Sequence, residues 1–304
     1  MFKYNFCFWA IACLLAFPSV GQTNRALVVT ISKYPPYSGW EELHAHNDKD
    51  LVLTMLNKKG FDGNITVLAD KEATKTAIYK ALANLHGNSR KGDYIYLHFS
   101  CHGQQMMDDN GDEYDGLDEA LIPYDAGYRY VEGEYEGENH LRDDELGIWI
   151  NKFRERVGET GYVAVVADAC HSGTVNRDPN QKDYIRGTSY IFAPDSYVPV
   201  PGKHPERSLH LVERPNLAPA VVFSACLPGE TNYEYYSKEK SCYFGFLTYT
   251  LYKTMQEHPG QVTTKNMLER IKTKMRQLKP NARNRKQTPY MECTNSNAIF
   301  KMGF

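Results

Sequence analysis

The chain alternates short, almost wholly apolar runs with longer stretches whose apolar residues recur every three or four positions. Arg25-Ala26-Leu27-Val28-Val29-Thr30-Ile31, Asn64-Ile65-Thr66-Val67-Leu68, Tyr94-Ile95-Tyr96-Leu97-His98, Tyr162-Val163-Ala164-Val165-Val166-Ala167 and Ala220-Val221-Val222-Phe223-Ser224 are continuous and rich in β-branched and aromatic residues. Runs of this kind predict strands buried on both faces, as in a parallel sheet. Between them, Leu51, Val52, Met55 and Leu56 before Gly60 lie at helical spacing, as do Ala77, Ile78, Leu82 and Leu85 before Gly87. Leu146, Trp149, Ile150, Phe153 and Val157 outline a third helix, and Met267, Leu268, Ile271 and Met275 a last amphipathic one. Asn297-Ala298-Ile299-Phe300 predicts a sixth strand. Strands alternating with helices imply an α/β fold, a mainly parallel central sheet of about six strands flanked by helices.

Two stretches carry no such period. One is polar, Gly-rich and acidic and follows residue 103; Asp108, Asp109, Asp112, Glu113, Asp115, Asp118 and Glu119 crowd it. The other, residues 174–218, is rich in Pro, Tyr and charge and predicts a long loop.

Composition bounds the partners. The 304 residues are 42% hydrophobic, ample for a core, and 35 basic against 37 acidic residues leave a net charge of −2. Such a balance gives no reason to expect nucleic acid or a charged membrane as partner. Lys3, the apolar run Phe6 to Phe17 and Ser19-Val20-Gly21 predict a signal peptide over residues 1–21, cleaved before Gln22. The run is short for a bilayer span, so a retained anchor is the weaker alternative. The expectation is a secreted or periplasmic monomer with one domain over 22–304, free of the membrane after signal removal. Cys7 and Cys13 leave with the signal; Cys101, Cys170, Cys226, Cys242 and Cys293 remain, an odd number that predicts a free thiol, for which Cys170 is the natural candidate. Pairing among the other four stays open.

Chemistry concentrates in two boxes at predicted strand ends, Phe99-Ser100-Cys101-His102-Gly103 and Asp168-Ala169-Cys170-His171-Ser172-Gly173. Open α/β sheets bind and react at that edge. A cysteine attacks as thiolate, and a nearby histidine can take its proton and later return one to a leaving amine, so His102 and Cys170 form a candidate dyad. A zinc site built from Cys101-His102 and Cys170-His171 is a competitor, weakened because adjacent residues point apart on an extended chain and zinc ligands are usually spaced more widely.

Together the boxes resemble those of the metacaspases, over roughly residues 25 to 255. Asp168-Ala169 before the cysteine departs from the Gln-Ala of true caspases. The resemblance implies the caspase-haemoglobinase fold, cysteine endopeptidase activity and no organic cofactor. It implies an oxyanion hole made by the amides of Gly103 and Cys170, and an acidic S1 pocket built from Asp48, Ser100 and Asp168. Carboxylates in such a pocket suit a guanidinium or an ammonium, so the expected substrates are peptides or proteins cut after Arg or Lys. Asp48 has a plainer alternative as a helix N-cap. The resemblance further implies a Ca²⁺ site at Asp118, Asp143 and Asp144, against which stands an ordinary solvated acidic loop. A peptidase of the gingipain type and a catalytically silent peptide-binding homologue are the alternatives in function.

The 174–218 loop leaves the cysteine box carrying Arg177, Lys182, Arg186, Lys203 and Arg207. An enzyme that cuts after basic residues can place such a loop in its own cleft. Arg186-Gly187 is the expected self-cleavage bond, since glycine lets the chain extend into a narrow site and no proline follows. A surface loop that is never cut is the alternative.

Overall fold

A computed structural model describes residues 21–111, 113–170, 184–200, 211–212, 214–258, 260–278 and 286–300. In chain order its elements are β1 (Asn24–Thr30), α1 (Ala45–Asn57), β2 (Ile65–Ala69), α2 (Lys75–Asn88), β3 (Tyr94–Ser100), β4 (Gly103–Met107), β5 (Leu117–Leu121) and β6 (Leu141–Arg142). There follow α3 (Asp143–Val157), β7 (Tyr162–Asp168), β8 (Ala220–Ser224), β9 (Glu234–Ser237), β10 (Cys242–Gly245), α4 (Phe246–Glu257), α5 (Thr264–Leu278) and β11 (Tyr290–Cys293).

Six strands form the central sheet in the order β11-β8-β7-β3-β1-β2, all parallel except the antiparallel edge strand β11. The expected sheet of six strands flanked by helices is therefore present. Alternate side chains of each inner strand enter different cores. Leu27, Val29, Leu97, Phe99, Val163 and Val165 pack with Ile78, Leu82, Ile150 and Phe153 of α2 and α3. Ala26, Val28, Tyr94, Tyr96, Ala164 and Val166 pack with residues of α1, α4 and α5 on the opposite face. Burial on both sides is why these strands read as unbroken apolar runs.

Several expectations are corrected. The sixth strand is Tyr290–Cys293 and not 297–300: Phe300 leaves the sheet to pack edge-on against Phe223, and Ile299 makes only an isolated bridge to Thr263. Gly87 does not close α2, which runs to Asn88. The polar excursion after residue 103 contains the antiparallel sheet β4-β5-β6, whose buried positions close a small cluster of Met106, Ala120 and Phe192. Helix α4, rich in Thr and aromatic residues, gave no clear period and was not foreseen.

The 174–218 stretch is not a plain surface loop where it is described. Arg186 and Phe192 are fully buried, Ile185 bridges to Tyr233 and Phe192 to Met106. Residues 1–20 of the expected signal peptide, the end of the cysteine box from His171 onward, and Asp112, Arg177, Lys182, Lys203 and Arg207 lie outside the described residues. Among the described residues no helix is long and apolar enough to cross a membrane.

Candidate active site

The site assembles at the C-terminal ends of β3 and β7, neighbouring parallel strands of the central sheet, the edge at which open α/β sheets bind and react. Ser100 and Asp168 end β3 and β7 and are direct cross-strand partners, so their side chains emerge side by side. Two residues beyond each lie His102 and Cys170.

The His102 ring stacks on Trp40 at 4.8 Å between centroids and lies 5.3 Å from Tyr34. Its Nε2 is 2.9 Å from the carbonyl oxygen of Glu41. A carbonyl can only accept, so Nε2 carries the proton and Nδ1 is left as the basic nitrogen. Nδ1 is buried and makes no hydrogen bond. Burial, opposed by the Glu41 contact, lowers the imidazole pKa to about 4, which keeps the ring neutral and able to accept a proton. Cys170 is buried, and its Sγ donates to the carbonyl of Glu230 at 2.9 Å.

Above these groups runs the chain's own segment around Arg186. The Arg186 carbonyl oxygen accepts hydrogen bonds from the backbone N–H of Cys170 at 2.8 Å and of Gly103 at 3.2 Å. Those are the two donors expected of an oxyanion hole. Gly187 follows so closely over the cysteine that an added Cβ would collide with the Cys170 carbonyl and lie 3.0 Å from the Cys170 Cβ.

The Arg186 side chain fills the acidic pocket with no exposure to solvent. Its Nη2 lies 2.7 Å from Asp48 Oδ2 and 2.9 Å from Glu234 Oε1; its Nη1 donates to Ser100 Oγ at 2.6 Å and lies 3.9 Å from Asp168 Oδ1. Asp48, Ser100 and Asp168 are thus brought together around one guanidinium, with Glu234 added to them. Asp48 is not the N-cap of α1, a position held by His44. It accepts instead from Ser100 Oγ at 2.5 Å and from the Gly245 N–H at 2.9 Å. Asp168 accepts from the N–H and Oγ1 of Thr248 and from Asn232 Nδ2. The N-terminus of α4 therefore supports two of the carboxylates, with its dipole as well as its N–H groups. Gly245 forms the pocket floor, where a Cβ would collide with Asp168 Oδ2 and Arg186 Nη1.

Three buried carboxylates around one cation must divide the charge unevenly. Burial pushes Asp48 up to about 6 against the attraction of Arg186. For Glu234, burial also acts upward, but Arg186 and the hydrogen bonds from His44 outweigh it and hold the carboxyl at about 2. His44 donates its N–H to Glu234 Oε1 at 2.9 Å and places Nδ1 2.5 Å from Oε2. Glu234, the Glu41 carbonyl and the α4 N-terminus carry no periodic or motif signal and escaped sequence reasoning.

The zinc reading does not fit the cysteine beside His102. Cys101 packs in the apolar core of α2 and α3, where burial raises its thiol to about 12. None of the five described cysteines is in a disulfide.

The acids expected to hold calcium do not converge as a set. Asp118 pairs with Arg142, and Asp144 accepts from Asn110 Nδ2 at 2.7 Å. Asp143 gathers instead with Glu113 and Glu119, with carboxylate oxygens all within 4.8 Å of one another. Both Asp143 oxygens are buried and receive no hydrogen bond. Burial and the neighbouring Glu119 and Glu113 push Asp143 well above the usual carboxylate range; burial with Glu113 and Asp115 raises Glu119 to about 8. Glu119 also lines the cleft beside Cys170 and Cys226.

Residues 23–300 match the model of the caspase domain family. The chain is 35% identical to Metacaspase III c of Phaeodactylum tricornutum over 172 residues, 52% of this chain and 45% of that protein. It is 34% identical to Metacaspase-2 of Arabidopsis thaliana over 171 residues, 52% of this chain and 36% of the relative. The chain therefore spans less than half the length of these curated relatives. A crystal structure of a Geobacter sulfurreducens protein superposes with a TM-score of 0.59 at 22% identity, covering 89% of this chain and 93% of the other, a likeness of fold. The strand-end boxes, the caspase-haemoglobinase sheet and the family match agree: the chain belongs to the caspase domain family and is metacaspase-like.

Proposed function

We propose that this protein is a cysteine endopeptidase that cleaves after arginine, and after lysine less well, and that its own Arg186–Gly187 bond is one of its substrates. The observation that carries the reading is the seat of Arg186: guanidinium among Asp48, Ser100, Asp168 and Glu234, carbonyl oxygen on the N–H groups of Cys170 and Gly103. Those contacts are what a bound substrate needs, a buried charge-paired side chain and a polarised carbonyl. A silent peptide-binding homologue would not need a neutral histidine with an unbonded basic nitrogen at the same strand-end edge as the cysteine.

In this mechanism Cys170 gives up its contact with the Glu230 carbonyl and passes its proton to His102 Nδ1, while Nε2–H stays on Glu41. The thiolate attacks the Arg186 carbonyl carbon, and the negative oxygen is held by the two amides. His102 then returns the proton to the Gly187 nitrogen, which leaves as an amine. Water, deprotonated by His102, hydrolyses the Cys170 thioester and frees an Arg186 carboxylate.

Glu113, Glu119 and Asp143 fit a hard divalent cation, since three oxygen donors converge and the Asp143 carboxylate is buried without a hydrogen bond. We assign Ca²⁺ to them, with Asp118 and Asp144 as flanking groups. A bound cation would neutralise the cluster and order the β4–β5 connection. The leader-like residues 1–21 support an exported enzyme.

The test is to purify wild type and Cys170→Ala in parallel, follow chain integrity by mass spectrometry, and assay peptides ending in Arg, Lys, Asp and Ala. Expected is a new N-terminus at Gly187 in the wild type alone, and turnover confined to basic peptides. Cleavage in both proteins, or turnover of the Asp and Ala peptides at comparable rates, would overturn the reading.

A further inference from the structure

The thiol of Cys170 has a second sulfur beside it. Cys226 Sγ lies 3.4 Å from Cys170 Sγ, and both thiols face the same carbonyl, that of Glu230, at 2.9 and 3.5 Å. The two residues are 56 positions apart in sequence, yet tertiary packing brings their sulfurs into van der Waals contact. Both are buried thiols outside any disulfide, and Cys226 enters none of the hydrogen bonds that hold the Arg186 carbonyl, the guanidinium or His102. The steps proposed for peptide cleavage therefore leave it without a role.

A narrow cleft reaches the pair. Gln105, Glu119, Ala169, Leu227 and Tyr290 are among its walls, Cys170 and Cys226 both line it, and its volume is ≈ 20 Å³. That space admits a molecule of the size of water or hydrogen peroxide and excludes a tripeptide disulfide such as oxidised glutathione.

We propose that Cys226 is a resolving cysteine that closes a reversible disulfide with Cys170 when a small peroxide oxidises the nucleophile. The Cys170 thiolate attacks one peroxide oxygen, the O–O bond breaks, and hydroxide leaves, giving Cys170 sulfenic acid. Cys226 sulfur then attacks the Cys170 sulfur, the S–O bond breaks, and water leaves with the Cys226 proton. Two thiols lose two electrons and two protons in all, and one hydrogen peroxide is reduced to two waters. The bond draws the sulfur away from His102 and the Arg186 carbonyl, so the oxidised protein cannot cut. It also protects Cys170, because a sulfenic acid trapped as a disulfide does not proceed to the irreversible sulfinic acid.

The experiment treats reduced wild type and Cys226→Ser with a modest excess of hydrogen peroxide or, separately, with oxidised glutathione. Remaining thiols are alkylated, and peptides are mapped by mass spectrometry before and after dithiothreitol. Expected in the wild type is a peroxide-induced peptide pair joined through Cys170 and Cys226, lost on reduction, and no such pair with oxidised glutathione. Expected in Cys226→Ser is Cys170 sulfinic acid that dithiothreitol does not reverse. Each protein's peptidase activity, relative to its own reduced form, should recover more than tenfold better in the wild type. Wild-type Cys170 that goes to sulfinic acid without the joined pair, or equal recovery in the two proteins, would overturn the proposal. The peptide map reads the bond even in a protein without turnover, so failure here is separable from failure of the peptidase assignment.

Discussion

The backbone N–H of Cys170 donates to the carbonyl oxygen of Arg186 at 2.8 Å, so the second residue after β7 holds a carbonyl supplied by a residue 16 positions further along the same chain. With the guanidinium of Arg186 buried among Asp48, Asp168 and Glu234, the segment lies in the cleft as a substrate would. Whatever else enters the site must displace this segment, so Arg186 holds the place that the proposed function gives to a substrate.

Replacing the occupant should separate these roles. Arg186→Ala is expected to remain a single chain by mass spectrometry under conditions that split the wild type. Arg186→Lys is expected to be cut more slowly, because an ammonium cannot reach Asp48, Glu234 and Ser100 with two nitrogens in a fixed plane. An Arg186→Ala protein cut at 186–187 as fast as wild type would contradict the prediction.

The dyad should behave as a unit. Cys170→Ala and His102→Ala are each expected to lower kcat/KM on an arginyl peptide by at least about 10³-fold, a loss of ~4 kcal/mol in transition-state stabilisation. Circular dichroism and thermal melting would establish that the variants fold, and the double variant should be no worse than either single one.

Glu234 should set the choice between basic and neutral substrates. Removing one partner of a buried ion pair costs ~3–5 kcal/mol, so Glu234→Gln is expected to lower kcat/KM for arginyl peptides by two to three orders of magnitude. Rates on neutral peptides should change little, and the Arg-to-Lys ratio should fall. Gly245→Ala, which puts a methyl group where the guanidinium lies, should exclude arginine without touching the dyad.

Arginine affinity should depend on pH in a defined direction. With the guanidinium in place, burial leaves Asp48 with a pKa of about 6 despite the attraction of Arg186. Emptying the pocket removes that attraction and moves the value above 6. Binding therefore releases a proton between the two values: affinity is flat below about pH 6, rises with pH in the window above it, and levels off beyond the pKa of the empty pocket. Inhibition of Arg186→Ala by a reversible arginine-mimetic compound, measured from pH 5 to 9, checks this, and Asp48→Asn should abolish the rise.

Calorimetry should detect Ca²⁺ binding to the wild type and its loss in Asp143→Asn and in Glu119→Gln. The Asp118→Asn variant is expected to retain binding with altered affinity, because Asp118 faces Arg142 and not the cluster. Mg²⁺ should compete weakly, since it dehydrates reluctantly and demands a tighter octahedron.

The inner strands, four of the five helices around them, and the two boxes that end β3 and β7 were all legible in the sequence. Each of these is a local property: a strand buried on both faces has to be apolar throughout, and a residue at a strand end stays at the sheet edge wherever its neighbours fall. Arg186 stood out as a basic residue before glycine on a long connection, and the fold brings its carbonyl to the N–H groups of Cys170 and Gly103. The contacts that packing alone established join residues far apart in the chain. Glu234 reaches Arg186 across 48 positions, the Gly245 N–H reaches Asp48 across 197, and Cys226 reaches Cys170 across 56. The edge strand fell on Tyr290–Cys293 because Phe300 gains more by filling the core against Phe223 than by pairing at the sheet edge. Periodicity records which face of an element is buried and carries no information on which distant element buries it, so the partners of each charge and each thiol emerged only when the layers packed.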